Sequence, residues 1–433
     1  MISVSAASFV VVAALLVTAW AYISLSRYEG SYVNILVPSL IIGVPAYYLL
    51  PLIHIRLFGT EASTYAYLYV YVTLAAENVA FVYAYTRKRG RRLRLPFTWS
   101  YQNFTLLAVA SLAIGIILYA PLLLQFREFL FDPRQIYAQT RVGFGPQFFL
   151  SSALAYLAII LILFSGRSFL MKAGVVAVAT SLVLLHGSKG QALNIILILA
   201  LYYIYVKGRK VGLKGALVVY VSMGFAVLLF FAATMRLGDS PDEVLESISS
   251  YSDYTRNAML VIDSDMPLQY GRIAIESNTV SLIPRALMPS KPRNFGTFFL
   301  TDKFYPEWLD ADSSPGFGVG AQYADFGIFA IVYIVLFALF RGWLARAFVD
   351  RLRLYQHPGD FFVVLFLADI ALFPLGTGWF LPEALFVALA LRYLSKVGAD
   401  KVYVERPRVS CPSSSVRTAI GGVVRWPLSH RGN

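Results

Sequence analysis

Apolar residues run along this chain in long blocks, from "ISVSAASFVVVAALLVTAWAYI" at 2–23 to "EALFVALALRYL" at 383–394, with short polar or basic stretches between them. A helix needs about 20 such residues to cross about 30 Å of hydrocarbon, because every backbone N–H and C=O must find its partner inside the segment. The blocks predict helices over 4–25, 32–54, 63–85, 102–125, 146–166, 170–186, 191–206, 215–235, 322–345, 360–376 and 379–395. The predicted fold class is all-α: a polytopic integral membrane protein with about 11 transmembrane helices and one long, partly helical extracytoplasmic loop. An outer-membrane barrel would instead read as strands of about ten alternating residues, a pattern these runs lack.

The polar punctuation orients the helices. "RKRGRRLR" at 87–94, "GRSFLMK" at 166–172, "KGRKVGLK" at 207–214 and "RLR" at 351–353 are each separated from the next by two predicted helices. Short loops rich in Lys and Arg stay cytoplasmic. The plasma-membrane topology this predicts has the N-terminus outside and the C-terminus cytoplasmic, with segments 126–145 and 236–321 outside. Residues 1–403 form the transmembrane domain, and 404–433 read as a basic, disordered cytoplasmic tail whose simplest partner is anionic lipid headgroups. The first apolar block has no basic stretch before it and reads as a retained helix, not a signal peptide.

Composition agrees: 58% of the 433 residues are hydrophobic and 14% charged, where a soluble domain carries about 25% charged residues. The net charge of +13 sits in short clusters between apolar blocks, which suits topology signals and points away from nucleic acid. One cysteine, Cys411, leaves no internal disulfide framework. With the four histidines scattered, no zinc site is predicted, and no motif for a cofactor stands out. Asp263 with Asp265 and Asp310 with Asp312 form Asp-x-Asp pairs, which read first as turn chemistry.

The long outer segment carries its own structure signals. "SPDE" at 240–243 is a capping box, and Val244, Ile248, Tyr251, Ala258 and Met259 follow at spacings that predict amphipathic helices over the membrane surface. "IPRALMPSKPRNFGTFF" at 283–299 sets Arg285, Lys291 and Arg293 among three prolines, which predicts a rigid, non-helical strap. Arg134 and Arg141 occupy the shorter outer segment. Arginine offers a planar fork of donors that grips phosphate oxygens, so these cations are candidates for binding a pyrophosphate or an acidic saccharide. Lys189, in "LLHGSKGQALN" at 184–194, lies where two short apolar segments meet, and an intramembrane cation is a functional candidate.

A polytopic chain with this Gly-Ser-Lys-Gly helical turn, then a long outer loop with "IPR…KP", then "GFGVGAQYADFGIFA" at 316–330, resembles the O-antigen polymerase and oligosaccharide repeat-unit polymerase family. The resemblance covers roughly 130–345. It implies a metal-independent membrane glycosyltransferase that joins oligosaccharide units carried on polyprenyl pyrophosphate at the outer face of the cytoplasmic membrane. Its partners would be the lipid-linked oligosaccharide, the growing glycan acceptor, a flippase and a chain-length regulator. The family's Arg-x10-Gly pattern occurs here as Arg285 to Gly296 and Arg134 to Gly145, and its Gly-Ser-Arg-Gly turn has Lys189 in place of arginine. Such chemistry needs cations for the departing pyrophosphate, here Arg134, Arg141, Lys189, Arg285, Lys291 and Arg293. It also needs a base for the acceptor hydroxyl, for which His186 and Glu276 come first, ahead of Asp325 and Glu383. An O-antigen ligase shares these features. A transporter is the reading from another class, supported by Glu77 with Asn78 and by Asp369 inside predicted helices, where an interhelical pair is the plainer role.

Overall fold

The computed structural model describes residues 2–87, 103–130, 133–140, 144–234, 249, 252–280, 283, 288–310 and 314–370. All belong to one compact unit within Met1–Gly398. The described residues are helical throughout, without a strand. The predicted helix 379–395 and the capping box at 240–243 lie outside them.

Local signals place the first helices. Ser3 accepts from the amide of Ala6 to start α1 (Val4–Glu29), which ends on left-handed Gly30. A buried turn follows, in which Asn34 Oδ1 accepts from the amide of Leu36, so α2 (Val37–Val44) begins later than predicted. It runs through a π-helical turn at Pro45–Leu49 into α3 (Leu50–Phe58). Ser63 caps α4 (Thr64–Thr86) and Asn103 caps α5 (Phe104–Gln125). The chain continues through α6 (Pro133–Thr140), α7 (Gly145–Phe164), α8 (Phe169–Leu185), α9 (Lys189–Leu201, extended by a π-helical turn to Val206) and α10 (Leu213–Thr234). Five stretches, Val4–Glu29, Val37–Phe58, Phe104–Gln125, Gln147–Phe164 and Gly320–Tyr355, are long and apolar enough to cross a membrane.

The segment after α10 contains α11 (Asp253–Ile262), α12 (Arg272–Asn278), α13 (Thr297–Phe304) and α14 (Pro306–Asp310). It returns to the bundle through α15 (Gly320–Phe326), a 3-10 turn at Gly327–Phe329 and α16 (Ala330–Tyr355), followed by α17 (Pro358–Leu367). Two predicted boundaries are corrected. "RLR" at 351–353 is not a loop but the last turn of α16, where Arg351 pairs with buried Asp360 at 3.0 Å. The helix predicted over 360–376 ends at Leu367, because Asp369 takes φ +62°, which a continuing helix excludes.

Within the bundle α4 packs between α1 and α16, and α5 packs on α7. The connections after α1 and before α10 meet at one end, where Tyr32 donates to Val211 O at 2.9 Å. Glu29, Tyr85 and Arg353 join them there, the Tyr85 hydroxyl donating to Glu29 at 2.6 Å and Arg353 pairing with the same carboxylate. At the other end α11 docks on the start of α4: Asp263 accepts from the Ser63 amide at 2.7 Å, and Arg256 pairs with Glu61 at 3.1 Å. Ala258 and Met259, predicted for the apolar face of an amphipathic helix, are buried here against α4 and α15. The "GFGVG" stretch lies directly on α11. A Cβ at Gly316 would stand 2.1 Å from the Tyr254 ring, and one at Gly320 would stand 2.6 Å from Ala258 Cα.

Helix α16 touches α4 at Gly342, where a Cβ would lie 2.2 Å from the carbonyl oxygen of Phe81. Close backbone approach through a small residue is the usual contact between membrane helices. Replacing Gly342 by Ala forces the pair apart and is expected to cost about 1–3 kcal/mol, read as a lowered Tm of the detergent-solubilised protein.

Candidate functional site

Between the α11–α14 segment and the bundle lies a cavity of about 930 Å³. Its upper wall comes from that segment, through Tyr254, Thr255, Ser277, Phe295, Thr297 and Ser314. Its lower wall comes from α2, α4 and α16, down to Glu77, Asn78, Arg341 and Asp369. A concave, largely apolar space of this volume with a few convergent polar groups is what small-ligand sites look like.

Arg341 stands at the floor, projected from α16 one residue before the close contact at Gly342. Its Nη2 pairs with Asp369, its Nε donates to Leu367 O at 3.3 Å, and its Nη1 lies 3.9 Å from Glu77. The guanidinium also lies over the Phe81 ring at 5.4 Å. One arginine thus ties α4, α16 and the end of α17 together, and compensates the carbonyl end of α17. The interhelical pairing read for Glu77 and Asp369 runs through this cation, which the sequence reading passed over. Its signal was a lone arginine in "IVYIVLFALFRGW" at 331–343. Asn78 donates back to Leu74 O at 3.0 Å.

The two leading base candidates occupy packed positions. His186 is fully buried between α7 and α8, stacked on Tyr119 at 4.0 Å. Its Nδ1 donates to Leu182 O at 2.7 Å, and its Nε2 lies 2.7 Å from the Ser151 hydroxyl, which donates to it in that tautomer. Glu276 holds the strap: one carboxylate oxygen takes Arg272 Nε at 2.8 Å and the other takes the Gly296 amide at 2.8 Å. Gly296 has φ +56°, and a Cβ there would meet Ser277 Oγ at 2.4 Å, so the glycine of the Arg-x10-Gly pattern lets the strap close on α12. Asp325 likewise acts locally, accepting from the amides of Ile273 at 3.0 Å and Ala274 at 2.8 Å at the start of α12.

Of the predicted cations, Lys291 donates to Ile283 O at 3.0 Å and lies over the Phe295 ring at 4.3 Å. Arg293 is exposed on the same strap. Arg134 lies in α6, which packs near α8, and Lys189 opens α9; only their backbones are described. Arg141 and Arg285 lie outside the described residues. The structure therefore sets Lys291 over Phe295, a residue of the cavity wall, with Arg293 exposed on the same strap, while the side chains of the other four lie outside the described residues.

A polytopic helical membrane protein whose outermost helices roof a polar-floored cavity is the class this architecture defines. No protein-family profile and no solved structure matches the chain. Two curated proteins do, the O-antigen polymerases of Salmonella typhimurium and Salmonella typhi, each 33% identical over 365 residues, covering 84% of this chain and 89% of the relative. The chain belongs to the O-antigen polymerase family.

Two outcomes test the site's construction. Arg341→Met leaves Asp369 unpaired in the bundle and is expected to cost about 3 kcal/mol, with part of the lost Tm restored in the Arg341→Met, Asp369→Asn double variant. At the roof, partial burial pushes the Glu61 carboxyl up, but the Arg256 guanidinium and the His54 ring push further the other way, so it sits below the usual carboxylate range. A depressed folded value contributes stability above the ordinary carboxylate pKa and loses it as pH falls through the folded value. Melting followed from neutral pH down through about 4 should show an acid-sensitive loss that Glu61→Gln removes.

Proposed function

We propose that this protein is a membrane glycosyltransferase polymerising polyprenyl-pyrophosphate-linked oligosaccharide repeat units at the outer face of the cytoplasmic membrane. The cavity between the α11–α14 segment and the helices carries the reading, since a reaction between two lipid-anchored glycans needs a concave space beside the membrane. The family of the chain supports it. In the proposed topology of about 11 transmembrane helices, the α11–α14 segment is extracytoplasmic and the N-terminus lies outside. The meeting of Tyr32 with Val211 and of Glu29 with Arg353 at the opposite end supports this arrangement, because all four residues lie in or beside cytoplasm-predicted connections.

In the reaction, an acceptor sugar hydroxyl attacks the anomeric carbon of the donor, the bond to the pyrophosphate breaks with its electron pair leaving on the phosphate oxygen, and the hydroxyl's proton passes to the departing diphosphate. Cations at the rim stabilise that charge. Lys291 and Arg293 on the strap take this role, joined by Arg134, Arg141, Lys189 and Arg285. Lys189 supplies charge without arginine's fork, so it steadies the phosphate as a point charge. Glu276 is a positioning residue that fixes the strap at Gly296, and His186 holds α7 to α8.

A purified lipid-pyrophosphate-linked oligosaccharide mixed with the wild-type protein should yield a ladder of products. A single transfer product would identify glycan transfer of the ligase kind, and no product at all would remove the glycosyltransferase reading. Lys291→Ala with Arg293→Ala is expected to lower the rate on the order of a hundredfold or more, since each charge-assisted hydrogen bond to phosphate contributes about 1.5–3 kcal/mol. Arg285→Ala with Lys189→Ala should shorten the polymer in cells that lack the native gene.

A further inference from the structure

The cavity differs in charge from the strap above it. Among the described charged side chains that line it, Glu77, Asp325 and Asp369 are acids and Arg341 is the base. Asp369 is committed to Arg341, and Asp325 accepts the amides of Ile273 and Ala274. Glu77 is held more loosely: it shares Arg341 at long range, Nη1 lying 3.9 Å away and beyond hydrogen-bond reach, and its side chain is 34% exposed and lines the cavity. Above the floor the walls are aromatic, with Tyr47 set edge-on to Tyr254 at 5.8 Å and Phe81, Phe298 and Phe337 around them.

Aromatic faces pack on the apolar faces of pyranose rings, and a carboxylate accepts charge-assisted hydrogen bonds from sugar hydroxyls or an ammonium group. A uronic acid brought to the same floor would meet a surplus of negative charge in a space walled by hydrocarbon, where like charges repel strongly. The pyrophosphate is kept out by the same charge and stays with Lys291 and Arg293 on the strap.

We propose that this cavity is the glycan subsite, that it takes uncharged and amino sugars while rejecting acidic ones, and that Glu77 sets the preference. The inference rests on the polymerase reading and adds its substrate class.

The test uses the full-length protein in lipid nanodiscs and two soluble tetrasaccharides of the same size, one neutral and one carrying a uronic acid, compared by ligand-observed NMR competition. Wild type should bind the neutral glycan more tightly by on the order of tenfold. Glu77→Gln, close in shape but uncharged, should weaken the neutral glycan severalfold and bring the two affinities within about twofold. Asn78→Asp adds a carboxylate beside Glu77 and should widen the gap, which decides the matter if Glu77→Gln folds poorly. Equal binding of the two glycans to wild type, no binding of either, or an unchanged ratio in the variants overturns the proposal. Failure of the polymerase reading shows elsewhere, as a wild-type protein that makes no product from lipid-linked units whatever the soluble glycans do.

Discussion

A guanidinium held among apolar helices organises the part of the bundle that matters most. An arginine away from water needs compensating charge, and Arg341 finds it on two elements at once, Asp369 after α17 and Glu77 on α4. Removing either acid would leave the cation under-compensated, so the elements that carry them cannot drift apart cheaply. The cavity floor is the place where they converge. Gly342, the next residue, makes the convergence sterically possible by letting α16 lie against the backbone of α4.

The roof depends on ordinary polar contacts in place of a buried ion pair. Asp263 and Arg256 fasten α11 to the beginning of α4, while Asp325 and Glu276 fasten α12 to α15 and to the strap. Because Glu276 takes the Gly296 amide, the strap that bears Lys291 and Arg293 is held against α12 beside the cavity mouth. Cations on the strap and an acidic cavity floor thus set two zones of opposite charge on one side of the bundle.

Much of this was legible in the sequence because hydrocarbon imposes a simple rule on backbone and length. Helices beginning near Val4, Thr64, Phe104 and Leu213 fall within a few residues of their predicted starts. Capping residues such as Ser63 and Asn103 explain the precision where it exists. The prediction strayed where a tertiary partner extended or stopped a helix. Asp360 receives Arg351 and Glu29 receives Arg353, so a basic stretch that reads as a loop stays helical to Tyr355. Asp369 turns out of the helix where it meets Arg341, and α17 stops short of its apolar run.

By itself, then, the sequence determined the membrane class, the number of polar interruptions, the unusual cationic strap and the family likeness. These follow from local composition and spacing. Which residues share a site was decided only by the tertiary structure. His186 and Glu276 were candidate bases by residue type, and only the fold sets one hydrogen-bonded inside a packed core and the other against a loop amide. Arg341, set among leucines and phenylalanines with nothing polar beside it in the chain, gained its importance from acids 264 positions before it and 28 after it. Chain spacing cannot report such a meeting, because charge compensation acts through space, and folding alone brings those three residues to one floor.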